Sequence, residues 1–263
     1  MTPILKYTAH LTKNLNPHAY IVSYPKSGRT WLRLLIGKCL CEKYNLSEKR
    51  MIRMRYITSA AGLYRSQFIH DGSATHERKT FRELSADKSK YKNARVILLG
   101  RNIKDILVSS YFQATKREAI FDGTISDFIK SEQFGAIKIL TFYKQWYEQR
   151  HIPLDFLFIR YEDLHNDPED ALTKVFGFLG DPNIEPRFIH SAIDYCKFEN
   201  LRKFESEKKF SSGILSPKDP NDPESYKTRK GLMGNYHQYL SENDIAYIDE
   251  QIEKFGCEFT RYP

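Results

Sequence analysis

The stretch AYIVSYPKSGRTWLRLLIGKCL, residues 19–40, changes its hydrophobic period at its centre. An apolar run with β-branched Ile21 and Val22 stops at Pro25. A short segment of basic and small residues follows, and from Trp31 the apolar positions recur at helical spacing. This is a strand, a tight loop and a helix. Such a loop has the physics of an anion site. The first amides of a helix lack backbone partners, the helix dipole is positive there, and a glycine lets the backbone approach a ligand closely. Lys26 adds a charge, Ser27 and Thr30 add hydroxyl donors, and Gly28 and Arg29 complete the segment. The ATPase phosphate loop is spelled differently, with two glycines and the lysine directly after the second. Here Lys26 precedes a single glycine. Taken alone, the segment reads first as an ordinary polar turn with a capping hydroxyl.

Outward from this unit, β-type and helical patterns alternate. Residues 66–72 (SQFIHDG) read as a short strand, and residues 94–101 (ARVILLGR) as a buried parallel strand. Residues 154–164 (LDFLFIRYEDL) read as another strand. Helical spacing runs through 104–116, through 125–150 with an interruption near Gly135, and through 167–180, 185–198 and 242–255. Ser241 is the expected N-cap of the last helix and Gly256 its stop. Residues 211–231 (SSGILSPKDPNDPESYKTRKG) read as a long loop of the kind that is either mobile or functional. The alternation predicts an α/β fold, with a central parallel β-sheet flanked by helices. The 263 residues suit one domain, 1–263.

Composition narrows the function class. A hydrophobic content of 41% and an aromatic content of 14% exclude wholesale disorder. The net charge of +8 suits an anionic partner without naming it. The N-terminal residues lack a basic segment followed by an apolar one, and no apolar run reaches spanning length. Cys39, Cys41, Cys196 and Cys257 match neither a zinc spacing nor a disulfide framework. The expectation is a cytoplasmic protein with reduced thiols, no metal and no stable membrane insertion.

Two distant segments add to the loop. In residues 98–112 (LLGRNIKDILVSSYF) a strand delivers Arg101 to its carboxyl end, and the helix that follows carries Ser109. In residues 228–236 (TRKGLMGNY), Arg229, Lys230 and Gly231 make a compact anion clamp. Together, YPKSGRTW, RNIKDILVSSYF and RKGLMGNY, in this order, resemble the signature segments of the cytosolic-type sulfotransferases. Residues 159–180 and 195–205 are similar to further segments of that family, so the resemblance runs from about Tyr20 to the end.

The resemblance implies a P-loop-nucleotide-kinase-like sulfotransferase fold. It implies 3′-phosphoadenosine 5′-phosphosulfate (PAPS) as sulfuryl donor, adenosine 3′,5′-bisphosphate (PAP) as product, and no metal. By the same resemblance Lys26, Ser27, Gly28, Arg29 and Thr30 wrap the 5′-phosphosulfate. Arg101, Ser109, Arg229, Lys230 and Gly231 hold the 3′-phosphate. Trp31 and Phe198 stack on adenine, with Tyr161 hydrogen-bonding near the base. One departure concerns the loop: the family commonly has Thr where this chain has Arg29. Sulfuryl transfer, like phosphoryl transfer, needs in-line positioning, neutralisation of the leaving oxygen and a proton acceptor. Lys26 suits the leaving oxygen. His70, at the end of the strand before the Arg101 segment, matches the family's place for a base, and Asp71 is the alternative. The expected partner is a small-molecule or saccharide acceptor with a hydroxyl or amine, and the expected state a monomer or homodimer. Two other classes share some of these features. A P-loop-like nucleotide-binding kinase shares the architecture, but lacks here the second glycine and an acidic strand end for Mg²⁺. A nucleic-acid binder shares the positive charge, but calls for a basic stripe with repeated aromatic platforms.

Overall fold

The computed structural model of the chain describes residues 18–210, 214–229 and 231–261. Lys230 and the N-terminal segment therefore lie outside the described residues. Within them, β1 (Ala19–Ser23), β2 (Ser66–Ile69), β3 (Arg95–Gly100) and β4 (Asp155–Arg160) form one parallel sheet in the order β2-β1-β3-β4. Ile21 pairs in register with Phe68 on one side and Ile97 on the other. The helices that position the site are α1 (Arg29–Lys43), α2 (Met54–Ala60), α3 (Ile103–Phe112), α4 (Ile125–Lys130) and α5 (Ala136–Glu148). They are followed by α6 (Tyr161–Asn166), α7 (Pro168–Leu179), α8 (Pro186–Tyr195), α9 (Phe198–Ser206) and α10 (Glu242–Phe255).

Strand alternation sorts the central residues into two cores. Ala19, Ile21, Ile97 and Leu99 face one core with α1, α2 and α6 to α9. Val22, Val96 and Leu98 face the other with α3, α4, α5 and α10. Burial on both faces explains why β3 reads as a continuous apolar run. The helix ends follow the capping chemistry in the sequence. Ser241 Oγ accepts from the Asp244 N–H at 3.2 Å, and α10 stops at Gly256 with φ 58°. The helical run breaks between α4 and α5, and Gly135 stands at the break because a Cβ there would meet the Ile129 carbonyl at 2.2 Å.

Three elements differ from the sequence expectation. The strand predicted over 154–164 ends at Arg160, because Asp163 turns back and accepts the Arg160 N–H at 2.8 Å, which starts α6. The helix predicted through 116 leaves α-geometry after Phe112 and finishes as a π-helical turn, Gln113–Arg117. The run 185–198 is divided, with α8 ending at Tyr195 and Phe198 opening α9.

Candidate active site

In a parallel sheet all carboxyl ends share one edge, and ligands bind outside it. Lys26 lies just beyond β1, His70 directly after β2, Arg101 directly after β3 and Tyr161 directly after β4. All four line one cavity of about 470 Å³. Gly28, Arg29, Thr30, Trp31, Ser109, Phe198, Arg229 and Gly231 line it as well. Of the residues singled out in the sequence, Ser27 and Asp71 are not part of this lining.

The loop needs its glycine for two reasons. Gly28 sits at φ +88°, a left-handed conformation, and caps α1. A Cβ there would lie 2.3 Å from the Tyr161 ring. Lys26 also has positive φ, 70°, which costs an ordinary side chain some strain of the kind found at ligand sites. Its ammonium donates to Gln113 Oε1 at 3.2 Å, and Gln113 in turn donates to Glu118 Oε1 at 2.8 Å. Burial, and then the charges of Lys227, Arg117 and Arg101, hold the Lys26 pKa well below the usual lysine range, while Glu205 opposes the shift. Ser27 departs from expectation. Its side chain is fully buried with its hydroxyl 3.3 Å from the Tyr143 hydroxyl, so Ser27 ties the loop to α5 rather than facing the cavity.

The opposite wall comes from β3 and the late loop. Arg101 donates to the Lys26 carbonyl at 3.0 Å, lies 4.4 Å over the Tyr161 ring and has Asp105 at 3.7 Å. Arg229 donates to the Tyr239 hydroxyl at 2.7 Å and to Glu224 at 3.1 Å. Phe198 is 36% exposed and packs on Gly231, where a Cβ would lie 2.4 Å from the ring. Trp31 and Tyr161 meet edge to face at 5.6 Å, with His165 against both. An aromatic floor thus joins the loop to α6. Glu205 of α9 is fully buried and accepts from the amides of Lys227 (2.6 Å) and Thr228 (2.8 Å), with Arg117 at 3.6 Å.

The two base candidates separate by their surroundings. His70 Nδ1 lies 2.9 Å from the Ser23 carbonyl. A carbonyl only accepts, so Nδ1 carries the proton and Nε2 the lone pair. Burial, and then the charges of Arg29, Lys227 and Arg33, push the imidazole pKa down to about 3, against the pull of the Ser23 bond. The ring is neutral at physiological pH. Asp71, the alternative base, is instead a structural anchor. Its carboxylate, 3% exposed, takes Lys88 at 2.8 Å, Lys90 at 2.7 Å and the Tyr91 hydroxyl at 2.5 Å. With both oxygens engaged and no place on the cavity wall, it is not positioned to take an acceptor's proton.

Sequence reasoning missed Gln113, Glu118, Lys227 and Glu205. Gln113 and Glu118 lie just past Ser109, where the π-helical turn shifts residue spacing. Lys227 stands two residues before Arg229 and was legible only as part of a basic run. Among the described residues, no group of His, Cys, Asp or Glu is arranged to hold a metal ion, and no helix is long and apolar enough to cross a membrane. The four cysteines are buried and unpaired.

This arrangement can neutralise a strongly anionic ligand and offer it a neutral imidazole. The sulfotransferase domain profile matches residues 16–258. The chain belongs to the sulfotransferase family. It is 28% identical to a flavonol 3-sulfotransferase of Flaveria bidentis, over 90% of this chain and 81% of that protein. It is 25% identical to sulfotransferase 1E1 of Bos taurus, over 91% of this chain and 84% of that one. The fold of this sulfotransferase matches solved structures at low identity. A retinol dehydratase in complex with androsterone and inactive cofactor PAP superposes with TM-score 0.65 at 17% identity, covering 99% of this chain and 88% of that one. Mouse sulfotransferase SULT7A1 complexed with PAP gives 0.61 at 18%, covering 96% and 89%.

Proposed function

We propose that this sulfotransferase moves the sulfuryl group of PAPS to a hydroxyl or amine of a small-molecule or saccharide acceptor. The observation that carries the reading is the neutral imidazole of His70, with its Nδ1 donating to Ser23, in one cavity with the Lys26 loop and the Arg101–Arg229 wall. The 5′ end of the donor sits at the α1 N-terminus, where the amides and Lys26 take its charge. Arg101, Ser109, Arg229 and Gly231 take the 3′-phosphate, joined by Lys230. Phe198 and Trp31 flank the adenine, with Tyr161 beneath the loop.

The acceptor oxygen or nitrogen attacks sulfur in line with the bridging oxygen. A new bond to sulfur forms as the bond from sulfur to the bridging oxygen breaks. The acceptor's proton passes to His70 Nε2, and the electron pair stays on the oxygen of PAP, opposite Lys26. The first test is a thermal shift with PAP against ATP and Mg²⁺. A shift with PAP and none with ATP–Mg²⁺ supports the reading, and the reverse rejects it. A screen with isotopically labelled PAPS and mass detection then identifies the acceptor.

A further inference from the structure

The cavity holds more positive charge than its own carboxylates answer. Arg101 has Asp105 at 3.7 Å, Arg229 has Glu224 at 3.1 Å, and Arg117 has Glu205 at 3.6 Å. Of these cations only Arg101 and Arg229 line the cavity. Arg29 and Lys227 line it too, and among the described residues neither side chain has an ion-pair or hydrogen-bond partner. Glu205, whose charge acts on Lys227, is already engaged by Arg117 and two loop amides. The carboxylates of the lining are Asp105 and Glu118. Asp105 is engaged by Arg101 and the Gly234 N–H, and Glu118 by the Gln113 amide. One turn along α1 from Arg29, Arg33 lies over the Phe68 ring at 4.7 Å with its Nε buried and unbonded.

These cations are neighbours of one another and of His70. Arg29 and Lys227 each lower the His70 pKa, and Arg29 lowers that of Lys227, which burial first and then Arg29, Arg117 and Arg33 bring to about 8 against the pull of Glu205. The cations that disturb Lys26 are Lys227, Arg117 and Arg101, and Arg29 is not among them. Lys227 thus acts on both Lys26 and His70, and Arg29 acts on His70 and on Lys227. Unpaired charge in a desolvated place is costly to keep, so clustered cations without counter-charges mark a place for an anion.

Resting on the sulfotransferase reading above, we propose that the acceptor itself is an anion, and that Arg29 and Lys227 hold its negative group beside His70. On this reading the donor's phosphates are met by Lys26, Arg101, Arg229 and the helix amides, and Arg29, which the family resemblance placed on the 5′-phosphosulfate, serves with Lys227 to hold a second oxyanion. A guanidinium with an ammonium next to it fits a carboxylate or a sulfate or phosphate ester, with bidentate bonds from the arginine. The acceptor is then a hydroxyl compound carrying such a group, held with its hydroxyl toward Nε2.

The test uses the full chain saturated with PAP and titrated calorimetrically with 4-hydroxybenzoate, with its methyl ester and with 4-hydroxyphenyl phosphate. At least one of the two anions should bind about tenfold or more tightly than the ester, and the tighter arm names the class. In Arg29→Thr and in Lys227→Met the preference should shrink to within about threefold. Anions binding no better than the ester, or not at all, overturn the proposal, as does a preference that survives in both variants. A loss of PAP affinity in the variants as large as the loss for the anion would assign both cations to the donor and likewise overturn it. Failure of PAP itself to bind the unaltered chain would reject the sulfotransferase reading instead.

Discussion

Replacing Asp71 with alanine separates a stabilising carboxylate from a catalytic one. The carboxylate anchors Lys88, whose side chain is 2% exposed, and also receives Lys90 and the Tyr91 hydroxyl. In Asp71→Ala the Lys88 ammonium stays buried with only the Ser85 carbonyl at 2.6 Å and the Trp146 face at 5.0 Å. Removing one partner of a buried pair costs about 3–5 kcal/mol, and these two remaining contacts place the cost near 3. For a chain of this size that lowers Tm by about 6–12 °C. The double variant Asp71→Ala with Lys88→Met should recover much of the loss, because it removes the stranded charge as well. Thermal unfolding by circular dichroism gives the shift, and single-turnover sulfation well below the melting range gives the chemistry. Asp71→Ala should melt early yet transfer sulfate at near-normal rate while folded. An unchanged Tm with turnover lost would make Asp71 the base and refute the reasoning.

His70→Ala should lower turnover by about 10²–10⁴-fold while PAP affinity, read by calorimetry, stays within about threefold. Because the ring is already neutral above about 3, the pH profile of kcat/KM for the donor should run flat through 6.5, and an acid limb near 6.5 that vanishes in His70→Ala would contradict this. By linkage, the neutral buried ring contributes stability that is present above 6.5 and lost as pH falls toward 3, since the unfolded chain takes the proton first; urea midpoints of His70→Gln against the parent chain report it. Arg101→Ala and Arg229→Ala should each weaken PAP by about 10–100-fold, one charge-assisted contact apiece; unchanged affinity in both removes the clamp. Gly28→Ala forces a left-handed alanine against Tyr161 and should cost PAP at least about tenfold in affinity; an equally tight variant would show that the loop can shift freely.

The sequence made the sheet edge legible because three of its reporters are strictly local. The strands end at Ser23, Ile69 and Gly100, and Lys26, His70 and Arg101 follow within three residues. The aromatic floor was half-legible. Trp31 sits at a helix start, but Tyr161 read as the continuation of a strand, although Asp163 two residues on carries the capping signal that turns the chain. Long-range packing hid the rest. Nothing near Ser27 announces that Tyr143, more than a hundred residues on, claims its hydroxyl. Nothing at Asp71 announces Lys88 and Tyr91, whose approach depends on the turns between β2 and β3. Gln113 reaches Lys26 from the π-helical turn that follows α3, a turn the helical spacing did not announce.

The carboxylate of Glu205 has a wider consequence. It clasps two successive amides of the late loop to α9, the same helix whose first residue is Phe198. Phe198, the proposed seat of the adenine, and the backbone leading to Arg229 are therefore tied to one helix. A nucleotide arriving there meets little conformational entropy still to be removed. Donor affinity then becomes a readout of how firmly α9 is seated. Trimming Phe204, which anchors that helix in the core and is not part of the cavity lining, should loosen nucleotide binding although the side chain lies under the cavity. Drift in donor affinity among relatives could accumulate in this way, through the core beneath the site, while every residue that touches the donor stays the same.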